Sequence, residues 1–128
     1  MLYTYTAVIS ESDGTFYAKV PDINGCITTA TSLPEAIELI TDALNLALVV
    51  LEDEGIPPKV PTPQADIPHE VHDILTIIQA DTIKYRSLTD SKSVRKNVSL
   101  PAWMLNLADK RGINCSKVLQ DALFNILS

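Results

Sequence analysis

The sequence predicts an α+β body followed by a short strand–helix–helix tail, and three observations lead there. Apolar residues alternate with period two through the first thirty positions, recur with helical spacing from residue 36 to 51, and the sign of the charge reverses near residue 84. Residues 1–83 hold thirteen acidic and two basic residues, a formal −11, whereas residues 84–128 hold eight basic and three acidic, a formal +5. Such asymmetry suits a tail that meets a polyanion and a body that meets a basic protein, because opposite fields raise association rates. The net charge of −6 conceals this division.

With 46% hydrophobic and 20% charged residues over 128 positions, the composition is that of a folded domain, not of a disordered, collagen-like or coiled-coil chain. The longest near-apolar run, Ala43 to Leu51, contains Asn45 and falls far short of the roughly 20 residues a membrane helix needs. Met1 to Ser10 lacks the basic start of a secretion signal, so the expectation is a cytoplasmic protein with reduced thiols and no membrane partner.

Tyr3, Tyr5, Ala7 and Ile9 alternate along a first strand, Asp13-Gly14 supplies a turn, and Phe16 to Val20 returns. Pro21 ends that strand, Asn24-Gly25 offers a second turn, and Cys26 to Thr31 makes a third strand. Ser32 and Glu35 have the spacing of a reciprocal capping box. The helix they open carries Ala36, Ile37, Ile40, Ala43, Leu44, Ala47, Leu48 and Leu51 on its buried stripe, with Gly55 as its C-terminal cap. Leu39, Leu46, Val49 and Val50 widen that stripe, for either a second packing layer or a partner-binding face; Glu52, Asp53 and Glu54 read as a solvated charge run, the alternative being an interaction surface. Five prolines between residues 55 and 68 make an extended connection, and Ile74 to Ile78 is a fourth strand. One helix on a small antiparallel sheet gives a two-layer body over residues 1–88, with a polar hinge at 89–93.

The tail, residues 94–128, predicts a strand at Val94 to Leu100, a helix after Pro101 ended by Gly112, and a second helix capped by Asn114. So small a unit cannot bury enough apolar surface alone, and its lone strand has two open edges. Two copies remove both defects: the strands pair as a ribbon over a shared core of Val98, Leu100, Trp103, Leu107, Val118, Leu119, Ala122 and Leu123. A two-stranded ribbon fits the DNA major groove, where Arg95, Asn97 and Ser99 would meet base edges. The N–H groups at Asn114, Cys115, Ser116 and Lys117, with the Lys117 charge, would meet phosphate.

The stretch SVRKNVSLPAWMLNLADKRGINCSKVLQDALFNIL resembles a ribbon-helix-helix DNA-binding domain. In the body, DGTFYAKVPDINGCITTATSLPEAIELITDALNLAL resembles HicB-family antitoxins, with DG, PD, NGC and Glu35-Ala36 at the family's spacing. The resemblance implies a partial RNase H-like body that covers the active site of a HicA-type mRNA-cleaving toxin. It also implies a tail that represses the shared operon by binding operator DNA as a homodimer, with the body able to support higher oligomers. Some family members end in a helix-turn-helix instead, so operator knowledge does not transfer. The alternative is a ribbon-helix-helix transcriptional regulator whose body senses a small ligand.

Other chemistry is weaker. A metal-dependent nuclease needs converging carboxylates, yet Asp13 sits in a turn, Asp22 beside Pro21, and Glu35 in a cap, so no catalytic residue is assigned. His69, Glu70, His72 and Asp73 lack zinc-site spacing and read as a polar loop; no metal or cofactor is expected. Cys26 reads as a packed thiol and Cys115 as a structural residue at a helix start. The sequons at Asn97 and Asn114 are coincidental without a secretion signal.

Overall fold

Asp13 and Gly14 adopt φ of 51° and 79°, the left-handed pair that a two-residue hairpin turn requires. In the computed structural model, which describes residues 1–90 and 92–128, that turn joins β1 (Leu2–Ser12) to β2 (Thr15–Lys19). Then follow β3 (Ile27–Ala30), α1 (Leu33–Glu54) and a 3-10 turn at Gln64–Asp66. The chain continues through β4 (Ile74–Asp81), α2 (Thr82–Thr89), α3 (Ala102–Lys110) and α4 (Cys115–Leu127). The sheet order is β3-β2-β1-β4 with every pairing antiparallel. The small antiparallel sheet with helices is thus an α+β arrangement.

Register decides which side chains form the core. Tyr5 lies opposite Ile78, Ile9 opposite Ala18, and Phe16 opposite Ala30, so these share the face under α1. The helix delivers Ala36, Ile40, Leu44 and Leu48 at successive i, i+4 positions, all fully buried. Its caps follow from sequence: Glu35 N–H donates to Ser32 Oγ at 3.3 Å, and Gly55 closes the other end at φ 70°. The box is closed on one side only, because the Glu35 carboxylate accepts from the Thr31 hydroxyl at 3.5 Å.

Several expectations change. β4 extends to Asp81, and α2 follows it at once, opened by Asp81 Oδ1 accepting from Lys84 N–H at 3.1 Å. The expected hinge at 89–93 therefore begins inside α2, and Ser91 within it lies outside the described residues. Among the described residues no layer covers Leu39, Leu46 and Val50, which are 38%, 52% and 45% exposed. Residues 94–100 form no strand, since the single chain offers no neighbour to accept its backbone bonds.

The proline-rich connection crosses to the sheet's second face. Pro61 to Gln64 share a cleft with Thr4, Thr6 and Ile77, and Asp73 shares another with Val8, Tyr17 and Ile27. Thr6 and Val8 are consequently buried although they point away from α1.

Leu44→Ala should lower unfolding free energy in urea by about 2–5 kcal/mol through transfer and cavity terms. Leu46→Ala, two residues on but outward, should change it by less than about 0.5 kcal/mol.

Candidate functional site

Two acidic side chains hold the body's surface in shape. Asp22, in the loop after β2, has a side chain only 4% exposed. It accepts from the Thr62 backbone N–H at 2.8 Å and the Thr62 hydroxyl at 2.6 Å, and pairs with Lys59 Nζ at 3.1 Å. Tyr5 adds a hydroxyl bond to the Lys59 carbonyl. The connection is thereby strapped to the β2–β3 loop. Burial by itself raises the Asp22 carboxyl, but the Thr62 bonds and the bond and charge of Lys59 outweigh it and hold the group below the usual range.

Glu52 is the second anchor, not part of a solvated run. Its Oε2 accepts from the Tyr3 hydroxyl at 2.8 Å and the Thr82 hydroxyl at 2.9 Å. Its Oε1 meets Arg86 at 3.2 Å, and Arg86 also pairs with Asp53 at 2.9 Å. The end of α1, the start of β1 and all of α2 are thus joined at one carboxylate. Burial, then the Glu52 bond and charge, push the Tyr3 hydroxyl up to about 12. Glu52 itself is lowered: burial opposes the charge, yet bonds from Tyr3, Thr82 and Arg86 prevail. Sequence reasoning missed α2 and hence Arg86; the usable signal was Asp81, a good N-cap at a strand end.

The carboxylates considered for catalysis are used elsewhere: Asp13 in a turn, Asp22 in the strap and Glu35 at a helix cap. Among the described residues no group of three or more His, Cys, Asp or Glu side chains is brought together. His69 Nδ1 contacts the Ile67 carbonyl at 2.9 Å, and Glu70 N–H donates to Asp73 at 2.9 Å, as in a polar loop. Cys26 is buried, and burial pushes its thiol up. No helix is long and apolar enough to cross a membrane.

The tail presents a different surface. Arg95, Asn97 and Ser99 are exposed on an irregular segment and have no hydrogen bond or ion pair among the described residues. Asn114 caps α4 by accepting from Lys117 N–H at 3.1 Å, which places Cys115, Ser116 and Lys117 in its first turn. Lys117 Nζ sits 3.9 Å from Asp121, a loose surface pair. Apolar residues that would be a core in any closed unit lie open. Trp103 is 63% exposed and Val118 55%, and Val98, Leu100, Leu107, Leu119, Ala122 and Leu123 are exposed with them. No residue of α3 or α4 is buried. Among the described residues the apolar faces of this helix pair are thus left open.

The described residues thus form a small closed α+β body followed by two helices with open apolar faces. Residues 5–120 match the family described as HicB-like antitoxin of bacterial toxin-antitoxin systems, and the chain belongs to that family. A toxin-antitoxin complex from Streptococcus pneumoniae is similar at 20% identity and TM-score 0.59, covering 98% of this chain and 99% of that one. The antitoxin HicB of Burkholderia pseudomallei matches at 21% identity and TM-score 0.55, with the same coverage of 98% and 99%. Both show shared fold alone. The HicA3 and HicB3 toxin-antitoxin complex matches at 25% identity and TM-score 0.51, covering 62% of this chain and 99% of that one. No curated protein matches.

The Asp22 strap has a pH signature. Because the folded carboxyl lies below its unfolded value of about 3.9, its stabilisation is complete above that pH and is lost as pH falls through the folded value. Asp22→Asn should flatten the acid limb of the urea midpoint against pH. It should also cost about 1–3 kcal/mol at neutral pH, where the buried donors lose their charged acceptor.

Proposed function

We propose that this chain neutralises a HicA-type mRNA-cleaving toxin by covering the toxin's active site with the body, residues 1–88, and represses its own operon through the tail, residues 94–128. The observation that carries the reading is the family match over residues 5–120. The −11 of residues 1–83 supports a basic protein partner, and the +5 of residues 84–128 supports a polyanion. In this reading two tails pair their 94–100 segments as a ribbon and seal Trp103, Leu107, Leu119 and Leu123 between them, giving a ribbon-helix-helix dimer. Arg95 and Asn97 then face guanine and adenine edges, Ser99 bonds either base, and the first turn of α4 grips a phosphate with Lys117 beside it. The protein acts by binding in the cytoplasm, without catalysis, cofactor or metal.

Co-expression with the adjacent open reading frame tests the antitoxin half. A small basic partner that arrests growth alone, is harmless with this chain, and co-purifies with it is expected; absence of both partner and rescue overturns the reading.

The repressor half makes separable predictions. Arg95→Ala and Asn97→Ala should each weaken specific operator binding by roughly 1–3 kcal/mol and relax sequence preference, with toxin rescue intact. Unchanged preference in both variants contradicts the ribbon assignment. Lys117→Ala should weaken binding across sequences and reduce the salt-dependence slope by about one unit, measured by fluorescence anisotropy over a salt series.

A further inference from the structure

Helix α1 carries six acidic residues and no basic one. While its inner row is sealed against the sheet, its outer side keeps two adjacent rows open. One is acidic, with Glu35, Glu38 and Asp42 exposed along it; Glu38 and Asp42 have no ion-pair partner among the described residues. The other is apolar: Leu39, Leu46 and Val50, between 38% and 52% exposed. The apolar row does not stop at the helix. Val50, Ala47 and Leu51 form one wall of a groove of about 520 Å³ whose other walls are Ile23 and the Pro57–Pro58 pair, with Asp22 and Lys59 at its rim. The Asp22 strap is what fixes that far wall.

We propose that this outer face of α1, together with the adjoining groove, is the surface on which the body receives its toxin. The matching partner surface carries lysine or arginine opposite Glu38 and Asp42 and seats an apolar side chain in the groove. The inference rests on the antitoxin reading and adds the location.

Charge selects this occupant over others. A second copy docked α1 to α1 would set acidic rows against each other with no base on either helix. Nucleic acid and anionic lipid are repelled by the same row. Helix α1 packs mainly against β2, β3, β4 and α2, and its outer rows stay exposed among the described residues. A helix face that pairs an apolar ridge with unpaired like charges is costly as bare surface and productive against a basic, partly apolar one.

The test uses the full chain, titrated calorimetrically with an inactivated variant of the toxin from the adjacent reading frame. Asp42→Lys and Leu46→Ser, both at exposed positions, should each weaken binding at least about tenfold, the size of a well-placed interface contact. Ile77→Ser, exposed on the opposite sheet face, should leave it unchanged. Thermal unfolding of each variant confirms that the body stays folded. Wild-type binding with both α1 variants unaffected overturns the location while leaving the antitoxin reading standing. Tighter binding by both variants also overturns it, since the face would then be covered by the chain's own tail. Failure of the wild type to bind removes the antitoxin reading, and this inference with it.

Discussion

The contact on which the body depends is a single helix seated through Ala36, Ile40, Leu44 and Leu48 on one face of a four-stranded sheet. One helix covers one face, so everything else about the molecule follows from what that leaves open. The second sheet face is covered only in part, around Thr6 and Val8, by the proline-rich connection, which has no ladder of its own and must be tied down by side chains. Asp22 supplies that tie, reaching 40 residues along the chain to Thr62. The outer side of α1 is left to solvent, with acids and leucines side by side. Glu52 then joins α1 to α2, where the body ends.

The tail obeys the opposite economy. Nothing in α3 or α4 is buried, yet their apolar faces are as developed as that of α1. Each helix is locally well specified: Pro101 at the start of α3, Gly112 at φ 65° ending it, Asn114 capping α4. Local specification without burial leaves the apolar faces of α3 and α4 open, beside a 94–100 segment that is irregular. A strand needs a paired neighbour, and among the described residues none lies beside 94–100. Charge divides the same way: the acidic residues concentrate in the body that closes on its own core, and the basic ones in the tail whose apolar faces stay open.

Where structure depends on neighbours in sequence, it was legible. The Asp13-Gly14 turn, both ends of α1, the Asn114 cap and the single-faced strand pattern were all readable because each is decided within four residues. Where the partner is distant, it was not. Glu52 looked solvated because Tyr3, Thr82 and Arg86 lie 49, 30 and 34 residues away. Asp22 read only as a residue beside Pro21 for the same reason, its partner Thr62 lying 40 residues away. Leu39, Leu46 and Val50 left a second layer and a partner-binding face both open, because hydrophobicity reports that a surface will be covered, not by what. α2 escaped notice because its composition is polar and its anchoring comes from Arg86 across to α1, not from an apolar stripe. In the tail, spacing gave the Asn114 cap of α4, whereas the alternation through 94–100 predicted a strand where the described segment is irregular.

The most direct test of this account follows the tail through dilution. Sedimentation equilibrium of the full chain, paired with hydrogen exchange at Val94 to Leu100, measures assembly and strand formation in one sample. The account predicts a dimer in which amides of that segment are protected, with protection falling in proportion as the dimer dissociates. A monomer at every concentration, or a dimer whose 94–100 amides exchange as freely as an unstructured chain, would contradict it.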